Sequence, residues 1–378
     1  MNENTTGTAG TNSAPEVLDT LVIGCGQAGL AIGHHLSRQG RQFLILDANP
    51  RIGDGWRLRW DSLRLFTPAK YNGLPGVPFP ADPLSFPGKD DMADYLERYA
   101  AGLELPVLTG VRVERLWREG GRFVAAANGQ RWEARNVVLA TGAERHPKVP
   151  PFAAELTDSI VQFHSSAYKN PSQLQDGPVL VVGLGNSGAE IAKEVARTHA
   201  TLVAANAPKE MPFKHGRTTA RFILPLVRFA GLHVLSLGTP VGRKIAPEFT
   251  AHGAPLIRTK RRDLAAAGVQ FVPRVSGVEG GLPVLANGTR ADVANVIWCT
   301  GYQEDLDWVD PALAGAGGGQ RQYRGEALDT PGLYFLGRNF QYAAASATVT
   351  GSVRDARYLA GRLPERHAVD SGRSAAFR

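Results

Sequence analysis

The sequence predicts an α/β protein in which one βαβ unit, followed by a small antiparallel meander, occurs twice. Three observations carry this. The run Leu21-Val-Ile-Gly-Cys-Gly-Gln-Ala-Gly29 has a counterpart in Leu180-Val-Val-Gly-Leu-Gly-Asn-Ser-Gly188, and Gly183 lies 159 residues beyond Gly24. The same displacement relates Asn128-Gly129 to Asn287-Gly288 and Asn136-Val-Val-Leu-Ala-Thr-Gly142 to Asn295-Val-Ile-Trp-Cys-Thr-Gly301. In both copies the GxGxxG stands between an apolar run and a helical pattern, the context that gives this motif meaning.

Each element follows in order. The apolar run before each motif reads as a buried strand, and Ala28 to Gln39 and Ala189 to Thr198 have helical spacing. Second strands follow at Phe43-Leu-Ile-Leu46 and Leu202-Val203. Hairpin signals come next, Gly120-Gly121 and Asn128-Gly129 in the first copy, Gly280-Gly281 and Asn287-Gly288 in the second. Each copy returns through an apolar strand ending in Thr141-Gly142 or Thr300-Gly301. Within each motif the first glycine makes the tight turn, the second lets backbone approach a pyrophosphate, and the third lets helix and strand pack closely. The pyrophosphate meets unpaired amides at the positive end of the helix dipole. The fold class is therefore α/β with two Rossmann-like dinucleotide-binding domains, each with a small antiparallel β-meander.

Composition agrees. A chain of 378 residues is two to three domains' worth at ~150 residues each. Its 43% hydrophobic and 20% charged residues exclude a disordered, collagen-like or coiled-coil chain. Two cysteines, Cys25 and Cys299, form no CxxC pair, which excludes a disulfide framework, a thiolate zinc site and a dithiol redox centre. Residues 1–17 are small and polar, so they read as a disordered tail rather than a signal peptide. The tail from Pro364 to Arg378 reads the same way. The most apolar stretch, Phe222 to Gly242, is interrupted by Pro225, Arg228, His233 and Pro240 and is no membrane span, which leaves the cytoplasm as the expected location. The net charge of +7 raises the question of nucleic acid, but the basic residues are dispersed apart from Arg258-Thr-Lys-Arg-Arg262. That cluster reads as a solvated helix face near an anionic small molecule.

The residue ending the second strand distinguishes the two ligands. In the first copy it is Asp47, 18 residues after Gly29, whose carboxylate accepts ribose hydroxyls and repels a 2′-phosphate. The same offset in the second copy gives Asn206, uncharged and followed by Lys209, Lys214 and Arg217. Removal of the negative charge and supply of positive ones suits a 2′-phosphate. The first copy is thus read as an FAD site built on Gly24, Gly26, Gln27, Ala28, Gly29, Asp47, Thr141 and Gly142. The second is read as an NADPH site built on Gly183, Gly185, Asn186, Ser187, Gly188, Asn206, Lys209 and Lys214.

From Leu18 to Leu363 the chain resembles the class B flavoprotein monooxygenases, in the bacterial branch near flavin-containing and YUCCA-type enzymes. Beyond the paired glycine motifs, the likeness rests on Gly53-Asp-Gly-Trp56, Phe66-Thr-Pro-Ala-Lys70, Leu74-Pro-Gly-Val-Pro-Phe-Pro80, Cys299-Thr-Gly-Tyr302 and Pro331-Gly-Leu-Tyr-Phe-Leu-Gly337. It implies that Trp56, Thr67 and Gly337 also contact FAD. It also implies that Thr67, with Gln341 at the start of the last helical segment, lies near the reactive flavin edge. Two departures stand out. The fingerprint FxGxxxH-xxx-(Y/F/W) survives only as His164-Ser-Ser-Ala-Tyr168, and Thr67 occupies the place of the family's active-site Asn. His164 is read as a hinge or packing residue.

The function implied is an NADPH-dependent FAD monooxygenase acting with dioxygen on a small soft nucleophile (N, S, Se or As) or a keto acid. Two alternatives share the motifs: an NADPH-dependent flavin oxidase or reductase passing electrons to quinone or metal, and a non-catalytic NADPH-sensing protein. No metal site, nucleic-acid partner or membrane span is expected. His34, His35, Met92, Tyr95, Leu96 and Tyr99 read as packing residues, Trp60 as either core or flavin cover, and Cys25 as a packed turn residue. The expected layout is a discontinuous FAD domain, 18–164 plus 291–363, with the NADPH domain 165–290 inserted. The stretch from Met211 to Phe249 departs most from the first copy and is the candidate cover of the cleft.

Overall fold

The computed structural model describes residues 17–142, 146–252, 254–304, 306–315 and 321–364. The expected tails, 1–17 and 364–378, lie outside the described residues except for Val17 and Pro364.

Two parallel sheets repeat the same order of strands. In the first, Leu333–Phe335, Gln130–Leu139, Leu18–Ile23, Phe43–Leu46 and Val107–Leu108 lie side by side. In the second the order is Val161–His164, Asn295–Trp298, Val179–Val182, Thr201–Ala204 and Gln270–Val272. The registers correspond as well: Leu21 pairs with Leu44 and Val137, and Leu180 with Leu202 and Val296. Strands covered on both faces read as unbroken apolar runs, and Val179–Val182 is buried at every position. The first sheet reaches nine strands through the hairpin Gln322–Tyr323 and Glu326–Ala327 and the meander strands Arg115–Glu119 and Arg122–Ala127. The second copy's meander is shorter, a separate pair Val275–Glu279 and Leu282–Leu285.

The helices after the glycine motifs run Gln27–Arg38 and Asn186–Val195. Leu30, Ile32 and Leu36 of the first are fully buried in one cluster with Ala356 and Leu359 of the final helix, Val349–Ala360. The helix Lys89–Gly102 buries Met92, Tyr95, Leu96 and Tyr99 in the same core, as their spacing requires. The Tyr95 and Tyr99 hydroxyls donate to the carbonyls of Val77 and Pro75, tying down the proline-rich loop.

Three expectations change. Val161–His164 and Asn295–Trp298 hydrogen-bond within the second sheet, so the boundaries at 164 and 291 divide that sheet wrongly. The crossover lies further out, where His146–Pro147 pairs antiparallel with Tyr302–Gln303. Each sheet thus takes its outer parallel strand from beyond the contiguous repeat, Leu333–Phe335 from after the second copy and Val161–His164 from before it. Second, Gln341 does not start the last helix. That helix begins at Val349, where the Thr348 hydroxyl caps the amide of Gly351. Third, the cluster 258–262 is not wholly a solvated face. Arg261 and Arg262 are exposed, but Lys260 is buried and donates to the carbonyls of Met211 and Phe213.

The stretch Met211 to Phe249 holds short helices, Arg217–Phe222 and Leu224–Phe229, a π turn at Ala230–Val234, and the start of Pro240–His252. Its two ends lie on different loops of the first unit. The His215 ring is 2.8 Å from the Phe66 carbonyl and packs 4.1 Å from the Phe86 ring. Further on, Leu237 donates to Tyr342, and Phe249 packs against Phe340.

Candidate functional site

Both glycine turns have the same construction. Gly24 takes φ +109°, and a Cβ there would stand 2.4 Å from the Ala140 carbonyl oxygen. Gly183 takes φ +102°, with the Cys299 carbonyl oxygen also at 2.4 Å. A Cβ on Gly29 would be 1.8 Å from the Gly24 oxygen, and one on Gly188 2.2 Å from the Gly183 oxygen. The middle glycines differ: Cβ atoms on Gly26 and Gly185 would meet nothing within 4 Å. Both are helix N-caps without a side-chain cap, and neither helix has an acidic residue in its first turn. Unpaired amides, a positive dipole end and open space beside the backbone suit a bound pyrophosphate.

Around the first turn the chain gathers the residues singled out for it. Asp47 is buried at the end of its strand, and its Oδ2 accepts from the Cys25 amide at 2.6 Å. Its Oδ1 accepts from the amide and side chain of Asn49 at 2.8 and 2.9 Å. A carboxylate has about four acceptor sites, so one is left for a ribose hydroxyl. Trp56 Nε1 donates to Gln27 Oε1 at 3.3 Å, and a Cβ on Gly337 would lie 3.3 Å from that of Ala28. Thr141 adjoins Gly24, with its Cα 3.2 Å from where a Gly24 Cβ would be, and Gly142 follows at φ +80°. Cys25 is not reactive: burial and the neighbouring Asp47 raise its thiol pKa far above the ordinary value. Burial likewise pushes Cys299 up to about 12.

Thr67 and Gln341 fare differently. The Thr67 hydroxyl donates to Asn72 Oδ1, and Asn72 Nδ2 returns a bond to the Thr67 carbonyl at 3.1 Å. Asn72 is fully buried, a partner of Thr67 that the sequence offers little reason to select because Tyr-Asn-Gly reads as an ordinary turn. Gln341 is turned inward, 2% exposed, with its amide nitrogen 3.4 Å from the Arg324 carbonyl and its oxygen accepting from the Arg338 amide. It holds a loop rather than lining an open site.

At the second turn, Asn186 locks a loop in place. Its oxygen accepts from the Ile257 amide at 3.0 Å and its nitrogen donates to the Pro255 carbonyl at 3.1 Å. That loop sends Arg258 to Glu190 at 2.9 Å and to the Arg64 carbonyl at 3.2 Å. Burial of Glu190 outweighs the pull of Arg258 and raises its carboxyl to about 7. Ser187 is half-buried in the first helical turn. The expected match of Asn206 to Asp47 shifts by one, because Ala204 pairs with Val182 as Leu46 does with Ile23. Ala205 therefore takes the place of Asp47 and Asn206 is exposed just beyond it, with Lys214 exposed on the chain that follows and Lys209 paired to Glu248.

The two turns are joined by one short segment. Trp56 reaches Gln27, whereas Trp60 is buried in the cluster that contains Leu184 and Ala189 of the second motif. Trp60 is therefore core. His164 also has a structural place: the Ser166 amide donates to its Nδ1, so its Nε2 carries the proton and donates to the Gly301 carbonyl at 3.0 Å. Among the described residues no group of three or more His, Cys, Asp or Glu is arranged to hold a metal ion, and no helix is long and apolar enough to cross a membrane.

Comparison with known proteins agrees with this geometry. The family model for pyridine nucleotide-disulphide oxidoreductases matches residues 21–222. An uncharacterized CzcO-like oxidoreductase of Geobacillus kaustophilus is 38% identical over 345 residues, 91% of this chain and 97% of its own. Indole-3-pyruvate monooxygenase YUCCA1 of rice is 32% identical over 55% of this chain and 53% of its own. The solved flavin-containing monooxygenase of Stenotrophomonas maltophilia superposes with a TM-score of 0.74 at 29% identity, covering 92% of this chain and 98% of that one. The chain belongs to the pyridine nucleotide-disulphide oxidoreductase family, in its class B flavin monooxygenase branch, and is an oxidoreductase. Its two distant cysteines separate it from the dithiol members that the family's name describes.

The glycine geometry makes a test within each motif. Gly29→Ala and Gly188→Ala should each lose several kcal/mol of stability in denaturant titrations, because backbone must move. Gly26→Ala and Gly185→Ala should stay within about 1 kcal/mol of the parent, since their Cβ atoms enter open space. A second test concerns Glu190. Between the ordinary carboxylate range and pH 7 the folded protein holds a proton that the unfolded chain releases. Stability should therefore fall as pH rises through that window and level off above it. Thermal unfolding of Glu190→Gln over the same range should remove this slope.

Proposed function

We propose that the first glycine turn binds FAD, that the second binds NADPH, and that the protein uses dioxygen to oxygenate a small substrate. The single observation that carries this is the contrast between two otherwise matching turns. One strand runs into buried Asp47, aimed at its turn. In the other, where Ala204 pairs with Val182 as Leu46 does with Ile23, the place of Asp47 falls to uncharged Ala205, followed by exposed Asn206. A carboxylate suits the free ribose of FAD and opposes a 2′-phosphate; an uncharged strand end leaves a 2′-phosphate of NADPH unopposed. The flavin, when bound, supplies the redox chemistry, accepting a hydride from the reduced nicotinamide and passing electrons to dioxygen.

The chain's own contribution is binding, orientation and exclusion of water. Gly26 and Gly185 leave their backbones open to the two pyrophosphates, and Trp56 packs beside the first. The Thr67–Asn72 pair is assigned to positioning near the flavin's reacting edge. The stretch 211–249, spanning from Phe66 to Tyr342, acts as the cover that keeps water out. Substrates of the expected class are soft nucleophiles (N, S, Se or As) or a keto acid, the name of the YUCCA1 relative supporting the latter. One observation favours a second reading, an oxidase or reductase passing electrons to quinone or metal: Thr67 stands where the family has Asn, and its hydroxyl is already bonded to Asn72.

The test is cofactor content and preference. Asp47→Ala should purify with little or no flavin, read from the visible spectrum; full retention would remove the ribose assignment. The parent should oxidise NADPH faster than NADH, and Ala205→Asp should reverse that order. Equal rates in the parent would remove the NADPH assignment.

A further inference from the structure

The outer face of the cover has properties that its role over the cleft does not require. Half of the large apolar side chains exposed among the described residues lie between Phe222 and Val241. Phe222, Leu226 and Phe229 are 63%, 70% and 58% exposed; Phe222 ends the first short helix, and Leu226 and Phe229, three residues apart, share a face of the second. Ile223, Val234 and Val241 extend the apolar surface. The opposite face is already used: Ala220, Leu224 and Leu232 are buried against the protein. The outward face is therefore a second apolar face on the same short helices, and solvated helices do not ordinarily carry one.

Charge decides what covers it. From Met211 to Pro247 the chain carries Lys214, Arg217, Arg221, Arg228, Arg243 and Lys244 and no Asp or Glu. Arg217 is paired with Asp82, Arg228 lies over the Tyr71 ring and Arg243 donates to the Leu237 carbonyl, yet Arg221, Arg228, Arg243 and Lys244 all remain exposed on the same segment. A two-fold contact with a second copy would set these cations against their own kind. A basic rim around protruding Phe and Leu side chains matches an anionic lipid surface, where the apolar face enters the acyl boundary and the cations meet head groups. We propose that the segment 217–244 docks the protein reversibly on anionic bilayers, with the cover, and hence the cleft beneath it, facing the lipid. The attachment is peripheral, since no described helix is able to span the membrane.

The test uses the full chain and vesicles, with no dependence on cofactor or activity. Protein is sedimented with vesicles of phosphatidylcholine alone and of phosphatidylcholine with one-third phosphatidylglycerol, at low and high salt. Binding is expected to the anionic vesicles, at least about tenfold stronger than to the neutral ones, and to weaken with salt. The variant Phe222→Ser/Leu226→Ser/Phe229→Ser should lose binding, and Arg221→Glu/Lys244→Glu should weaken it at least about tenfold. Both should keep the parent's circular dichroism and melting temperature, because these side chains point away from the core. Absence of binding to anionic vesicles overturns the proposal. So does binding that both folded variants retain. A parent that is dimeric, becomes monomeric in the triple Ser variant and ignores vesicles also overturns it, assigning the face to a second copy instead.

Discussion

The structure depends on one close approach, made twice: a glycine turn pressed against the carbonyl of the strand beside it. Gly24 meets Ala140, and Gly183 meets Cys299, at distances no side chain tolerates. That contact starts the following helix hard against the sheet, with the third glycine closing the turn on the first. Once it is made, the helix N-terminus must point along the strand ends, and the second glycine is left facing open space. Binding capacity is thus a by-product of packing, since the turn that seals the core also exposes the amides.

Duplication alone would give two sites without a relation. Here the copies are bound together by exchanged strands, by the His146–Pro147 and Tyr302–Gln303 crossover, and by the segment carrying Trp56 and Trp60. Arg258 adds a further tie, held by Glu190 beside the second turn and reaching the Arg64 carbonyl of the first unit. These links combine strand pairing, a buried indole and polar contacts between loops. They join the two units through the region where redox partners would have to meet, while each unit keeps its own apolar core.

The repeat was legible because every anchor in it answers a local backbone need. Turn glycines, hairpin dipeptides and buried apolar strands announce themselves without reference to the rest of the chain. The boundaries were not, because Val161–His164 and Asn295–Trp298 find their sheet through pairing with distant residues. Lys260 was misread for a similar reason: its sequence neighbours are basic and exposed, but two carbonyls of a remote loop draw it inward. The position of Gln341 was recoverable, since Thr348 is a good N-cap seven residues later. Asn72 was hidden by looking like a turn residue, and only its burial against Thr67 separates it from one.

The central claim is that two matched turns in one chain hold an electron donor and its acceptor. Mixing the purified flavoprotein with NADPH under anaerobic conditions, while recording the visible spectrum, addresses it directly. The expected result is bleaching of the bound flavin, completed by about one equivalent of NADPH as a two-electron transfer requires. A flavin that stays oxidised in the presence of excess NADPH would contradict the account.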